Sequence, residues 1–421
     1  MKITHITPRM ILDSRGYPTV EVDIVLDGVH IGRASVPSGA STGIHEALEL
    51  RDNDEAYGGK GVSKAIEYIA HELKGALSEK EFATQRDFDT LLCTLDGTNN
   101  KSHFGSNAVL ALSLAYGKAV AKSRNQEFFE YIRGEYAFTV PMSLPMPLVN
   151  VLNGGKHAKA STDVQEWMIV PIGAKTFNEA VQMGTKVFYT LRAIMDTRGT
   201  SAVGDEGGFP LAHVSNNKEA LLLLMDAVSK SGFTPGKDIA FALDVASSEF
   251  YSNGSYSLSS DHLILDSAQM ISWLEELATQ FPIISIEDGL AEDDWDAWKS
   301  LTEKVGSKIQ LVGDDLFVTN VDYIQKGIDM NVANTVLIKP NQIGTLSETA
   351  DAILLAQSHG YHTIISHRSG ETEDTSIAHL AVASGAGQIK TGSFSRTERL
   401  AKYNELLRIS EKVTVFTSPF N

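Results

Sequence analysis

Lys339 ends a short apolar run, Val336-Leu337-Ile338, and Pro340 follows at once. Two readings compete for such a lysine. Either its stem lies along apolar surface while the ammonium reaches water, or it is a base held at the mouth of a barrel. Other apolar runs end in a similar way. IAFALD ends in Asp244, PIISIE in Glu287, IQLVGDD in Asp314 and Asp315, HTIISHR in His367 and Arg368, and GQIK in Lys390. One aspartate after a strand is an ordinary cap or turn residue, and a lone lysine there reaches solvent. Six successive units that all carry charge at this position point further. In a closed parallel barrel the C-terminal ends of the strands converge on one face. Three carboxylates then meet two lysines, an arginine and a histidine. Burying three uncompensated anions is too costly, and a divalent cation is the natural compensation. Hard carboxylate oxygens, with no cysteine and few histidines, favour Mg²⁺ over zinc. Asp315 reads as a structural neighbour of Asp314, and Asp288 as a hydrogen-bonding partner rather than a ligand.

Earlier loops add candidates. GDEGGFP holds Glu206 between Asp205 and two glycines, VQEWMIVP holds Gln165 and Glu166, and NGGKHA holds His157. Taken singly, each is as readily a turn or core contact as a catalytic group. The one cysteine, Cys93 in LLCTL, reads as a small buried hydrophobe and not as a nucleophile. With no second cysteine it forms no internal disulfide, which fits a reducing compartment.

The elements that must position these residues fall into two rhythms. From the start to about residue 130 the chain reads as α+β. Val20, Val22, Ile24 and Leu26 alternate with Glu21 and Asp23, and Asp27-Gly28 signals a tight turn. A Ser/Gly-rich loop, Ser38 to Gly43, leads into an expected helix. Further helices are predicted over 62–76 and 106–122, the latter capped by Ser106. Pro141, Pro145 and Pro147 mark a boundary near 130–140. From 140 to 421 apolar β-like runs alternate with amphipathic helices. One of these starts at a cap on Asp266 or Ser267 and puts Met270, Ile271, Trp273, Leu274 and Leu277 on one face. Repeated strand–helix units predict a parallel sheet with right-handed crossovers. About eight strands over this length suit a closed barrel.

The chain has 421 residues, 43% hydrophobic and 21% charged, and a formal net charge of −17. Two domains are expected at this length. The negative field disfavours nucleic acid and anionic membrane as partners. No apolar run reaches the roughly 18 residues that span a bilayer, and the N-terminus has no signal-like apolar core. A cytoplasmic enzyme or binding protein is the expectation. Neither a Walker A sequence nor a GxGxxG between strand and helix occurs, which counts against a nucleotide fold.

Taken in order, DSRGYPTVEVD, VPSGASTG, VQEWMI, GDEGGF, LDVASSEF, IEDG, GDDLFVTN, LIKPNQIGT, SHRSGETED and IKTGSFSRTERLAKYNELLRI resemble the enolase family over essentially the whole chain. The resemblance implies a small α+β N-terminal capping domain, 1–130, with a mobile SGASTG loop, and an α/β barrel catalytic domain, 140–421. It implies that the barrel opens irregularly, as ββαα before its βα units. The implied reaction interconverts 2-phosphoglycerate with phosphoenolpyruvate and water. Lys339 is then the base and Glu206 the acid. Asp244, Glu287 and Asp314 hold one Mg²⁺, and Ser41 helps to hold a second one recruited with substrate. His367, Arg368, Ser369 and Lys390 bind substrate, and His157, Gln165 and Glu166 line the site. For this chemistry Lys339 should have a lowered pKa and Glu206 a raised one, with Glu166 as the like-charge neighbour. The resemblance also implies a dimer or a ring of dimers, and a secreted or cell-surface fraction. The sequence departs from the family pattern at Lys156, at the shortened GDEGGFP and at Asn99. Two alternatives stand beside this reading. One is a relative that abstracts a proton beside a carboxylate from a substrate without phosphate. The other is a binding or scaffold role on the same fold, at a cell surface or in an RNA-degrading assembly.

Overall fold

The computed structural model describes residues 1–420 apart from 40–42, 159–160, 201, 212–213 and 215. Three antiparallel strands open the chain: β1 (Ile3–Leu12), β2 (Pro18–Leu26) and β3 (His30–Ser35). The alternation in β2 is realised, because Val20, Val22, Ile24 and Leu26 are fully buried. On the opposite face Glu21 and Asp23 pair with Arg9 and Arg33. Asp27 and Gly28 both take positive φ, 50° and 74°, as the central residues of a turn closed by the Val29 amide on the Leu26 carbonyl at 3.0 Å. The helix Ser106–Ser123 packs on this sheet. It is buried almost all round, which explains its Ala/Leu-rich sequence.

Eight strands then close a barrel: β4 (Met146–Asn153), β5 (Glu166–Val170), β6 (Ala240–Asp244), β7 (Ile283–Glu287), β8 (Gln310–Gly313), β9 (Thr335–Ile338), β10 (His362–Ser366) and β11 (Gly387–Lys390). They pair in chain order, and β11 returns to β4 to complete the ring. The interior is packed with Met146, Leu148, Met168, Val170, Ala242, Val312, Leu337 and Ile364. A polar layer joins Gln310, Ser285 and Gln388 by mutual hydrogen bonds.

The structure corrects three expectations. The barrel is not wholly parallel, since β5 runs antiparallel to both β4 and β6. Two helices, Phe177–Thr197 and Asn217–Lys230, lie between β5 and β6. Residues 44–50 form no helix. Backbone donors of that stretch bond to distant segments, Ala47 to the Gln342 carbonyl at 2.8 Å and Leu48 to that of Asn100 at 2.7 Å. Ser106 is the first helical residue and not the cap. Gly105 holds the cap position, and the Ser106 amide donates to the Leu48 carbonyl at 2.7 Å. By contrast, Asp266 caps its helix, Ser267–Gln280, with a reciprocal capping box to Gln269. Among the described residues no helix is long and apolar enough to cross a membrane.

Candidate active site

Strand direction and register assemble the site. Because β5 runs backwards, its first residue, Glu166, comes to the mouth where the other strands end. Register sets Asn153 and Asp244 on either side of Glu166, and Glu287 next to Asp244. Ser366 and Lys390 are likewise side by side. Glu206 arrives on a tight turn closed by Gly204 and Gly208, whose backbones bond at 2.8 Å.

One cavity of about 310 Å³ lies among these ends. It is lined by His157, Gln165, Glu166, Glu206, Asp244, Asp314, Lys339, His367, Arg368, Ser369 and Lys390. Glu287 lies just behind, buried beneath the Lys390 ammonium. Ser41 falls outside the described residues. Ser366, which also lines the cavity, was not singled out from sequence.

Two ammonium groups neutralise the carboxylates. Lys390 Nζ donates to Asp244 Oδ2 at 2.9 Å and to both Glu287 oxygens at 2.8 and 3.0 Å, and it lies 3.4 Å from Glu166 Oε2. Lys339 Nζ pairs with Asp314 Oδ2, whose other oxygen accepts from Gln342 at 2.9 Å. Burial pushes the Lys339 ammonium down, but Asp314 and, to a smaller extent, Glu287 oppose it and the net direction is up. This reverses the sequence expectation, because the lysine shares its pocket with a carboxylate as well as with Arg368 and Lys390. Burial also opposes Asp314, which Lys339 nevertheless holds below its ordinary value. Burial and then Asp244 push Glu287 up to about 8.

The second pair of acids behaves in opposite ways. Burial raises Glu166, and the charge of Glu206 raises it further, well above the usual range. Burial acts on Glu206 too, but His367 and His157 outweigh it and hold Glu206 well below that range. His367 Nε2 lies 3.4 Å from Glu206 Oε2, His157 Nε2 lies 3.9 Å from Oε1, and Asn150 donates to Oε2 at 3.0 Å. The expected raised value for Glu206 is therefore not found.

The donor set fits a hard cation. The carboxylate oxygens of Asp244, Glu287 and Asp314 face two ammonium groups that occupy cationic positions. Among the described residues, Gln165 Oε1 and Glu166 Oε2 are buried at the site with no hydrogen-bond partner. The three carboxylates do not draw their oxygens within 4.8 Å of one another. Among the described residues, the groupings that meet that condition are His157/Glu166/Glu206 and Asp288/Asp314/Asp315. Asp288 acts as a hydrogen-bonding partner, accepting the Asp314 and Asp315 amides at 2.9 Å each.

Two contributors were missed from sequence. Glu46 grips the Arg368 guanidinium at 2.8 and 3.2 Å, with Asn341 Oδ1 at 3.0 Å. Arg399 reaches the loops of Glu206 and His367 from the helix Thr397–Ile409. Both act across more than thirty residues of sequence, where spacing carries no signal. Away from the site, Cys93 lies half-buried with Sγ 3.6 Å from Glu348 Oε2, and burial pushes its thiol up to about 12.

Comparison with known proteins gives a consistent result. Residues 3–132 match the family model "Enolase, N-terminal domain", and residues 141–418 match "Enolase, C-terminal TIM barrel domain". Proteins named Enolase from Legionella pneumophila strains Lens, Corby and Paris are each 54% identical over 414 residues. The match covers 98% of this chain and 97% of each relative. With both halves matched in order and a charged cavity at the mouth of a closed barrel, the chain belongs to the enolase family of hydro-lyases.

Proposed function

We propose that this chain interconverts 2-phosphoglycerate with phosphoenolpyruvate and water, with Mg²⁺ as the metal. The observation that carries this reading is that a part-buried lysine, Lys339, and a buried acid pair, Glu166 and Glu206, line one cavity.

Lys339 takes the proton from the carbon beside the substrate carboxylate, and must be neutral to do so. Asp244, Glu287, Asp314 and Ser41 would hold two divalent cations, which would supply positive charge for the electrons left behind. Burial and the charges of Arg368 and Lys390 then favour the neutral amine. Glu206, once it has taken a proton from Glu166, delivers that proton to the departing hydroxyl. Glu166 holds the proton of the pair and is the neighbour from which Glu206 regains it. His157 lies between the two acids, 3.8 Å from Glu166 and 3.9 Å from Glu206. Arg368 offers a planar fork to the phosphate once Glu46 yields it, and Ser369, His367, Gln165 and Lys390 orient the rest of the substrate. The N-terminal region, 1–130, caps the barrel, 140–421, and closure of the SGASTG loop excludes water.

The test is an assay of the purified chain on 2-phosphoglycerate beside a non-phosphorylated 2-hydroxy acid. Turnover of the first alone supports the reading. Preference for the second, or turnover of neither with Mg²⁺ present, refutes it.

A further inference from the structure

Arg399 is among the largest fully buried side chains of the molecule. A guanidinium removed from water is costly unless its donors are satisfied, yet no carboxylate bonds it closely. Glu398 Oε1 lies 3.6 Å from its Nε. Its partners are four acceptors on two loops. Nη1 donates to His367 Nδ1 at 2.5 Å and to the Arg368 carbonyl at 2.6 Å. Nη2 donates to the Ser369 carbonyl at 2.6 Å and to the Asp205 carbonyl at 3.0 Å. The stem passes Gly392, where a Cβ would stand 2.8 Å from Arg399 Cδ and 2.7 Å from the Glu206 carbonyl oxygen.

This geometry has a chemical consequence. A guanidinium donates hydrogen bonds and accepts none. His367 Nδ1 must therefore present its lone pair, and the single proton of the neutral ring sits on Nε2. That atom faces Glu206 Oε2 at 3.4 Å. The same side chain fixes the backbone on either side of the pair, at Asp205 and at Arg368 and Ser369.

We propose that Arg399 is a positioning residue for the acid Glu206: it holds His367 as the neutral Nε2–H tautomer aimed at that carboxylate and locks the two loops together. The proposal rests on Glu206 and His367 serving the dehydration described above. Burial, followed by the opposing charge of Glu206 and the charge of Arg399, leaves His367 at about 4, which agrees with a neutral ring at neutral pH. Tautomer fixing by a buried partner of a functional histidine has precedent in metal sites, where loss of the partner costs roughly 10- to 100-fold.

The test is nitrogen-15 NMR of the histidine-labelled full chain, with the His367 resonances assigned by comparison with His367→Gln. The wild-type spectrum should show a protonated Nε2 and a bare Nδ1. Arg399→Met keeps the length of the stem but removes every donor. It should populate the Nδ1–H tautomer and lower kcat roughly 10- to 100-fold. Arg399→Lys keeps a cationic donor and should retain the tautomer with a smaller loss. A wild-type spectrum with Nδ1 protonated overturns the proposal, whether or not the variants fold. So does a folded Arg399→Met protein with an unchanged tautomer. The spectrum needs no turnover, so failure here is distinct from failure to dehydrate 2-phosphoglycerate.

Discussion

Lys339 and Glu206 divide the proposed reaction between them, and each makes its own prediction. Lys339→Ala removes the base and should lower turnover by roughly 10²–10⁴-fold, the usual contribution of a positioned general base. Retention of wild-type kcat would remove Lys339 from that role. For Glu206→Gln, net dehydration should be lost while exchange of the C2 proton with solvent survives. Exchange lost with dehydration intact would reverse the two assignments. Glu46 competes for the guanidinium that Arg368 would offer to phosphate. Glu46→Gln should therefore tighten inhibition by inorganic phosphate, by roughly tenfold if one charged hydrogen bond is relieved. Unchanged or weaker inhibition would show that Glu46 is no competitor. The charged strand ends were legible because each follows a β-like run at a fixed place in the repeat. Glu46 and Arg399 were not, because they reach the cavity from an irregular segment and from a distant helix. The pKa directions of Lys339 and Glu206 were also out of reach of sequence. They depend on which neighbour sits closest, Asp314 for one and the two imidazoles for the other.

At the level of elements, local chemistry was readable where the chain satisfies its own backbone. The turn at Asp27-Gly28 and the capping box at Asp266 follow from residue type. Asp266→Ala should destabilise the fold by about 1 kcal/mol, measured by chemical denaturation. No change would mean that the helix Ser267–Gln280 holds without its cap. The stretch after Gly43 was misread for the opposite reason. Its apolar spacing resembles a helix, but its amides are paired with Gln342 and Asn100, and tertiary bonds outweigh propensity there. The reversal of β5 also left no mark in composition, because a strand buried on both faces reads alike in either direction. That reversal brings Glu166 to the mouth, so the acid pair depends on a feature that only the resemblance anticipated.

On the scale of the whole molecule, the three-stranded sheet and the barrel are joined through a part-buried ion pair. Asp374, after β10, accepts from Lys118 of the helix Ser106–Ser123 at 2.6 Å and from the Ser35 amide of β3 at 3.1 Å. Burial alone would raise its pKa, but Lys118 and two bonds from Ser376 bring it to about 2, below the ordinary 3.8. Its contribution, on the order of 2 kcal/mol, is therefore present above about pH 4 and lost as pH falls towards 2. The stability difference between wild type and Asp374→Asn should shrink over that interval. A difference that stays constant with pH would show that the charge is not what couples the two parts. The proposal of a part-buried amine acting as base beside carboxylates that would hold Mg²⁺ is tested most directly by following phosphoenolpyruvate absorbance as the chain acts on 2-phosphoglycerate. The absorbance should rise with Mg²⁺, stop on chelation, resume when Mg²⁺ is returned, and stay flat with Lys339→Ala. Undiminished turnover in chelator, or in the folded Lys339→Ala protein, would contradict the account.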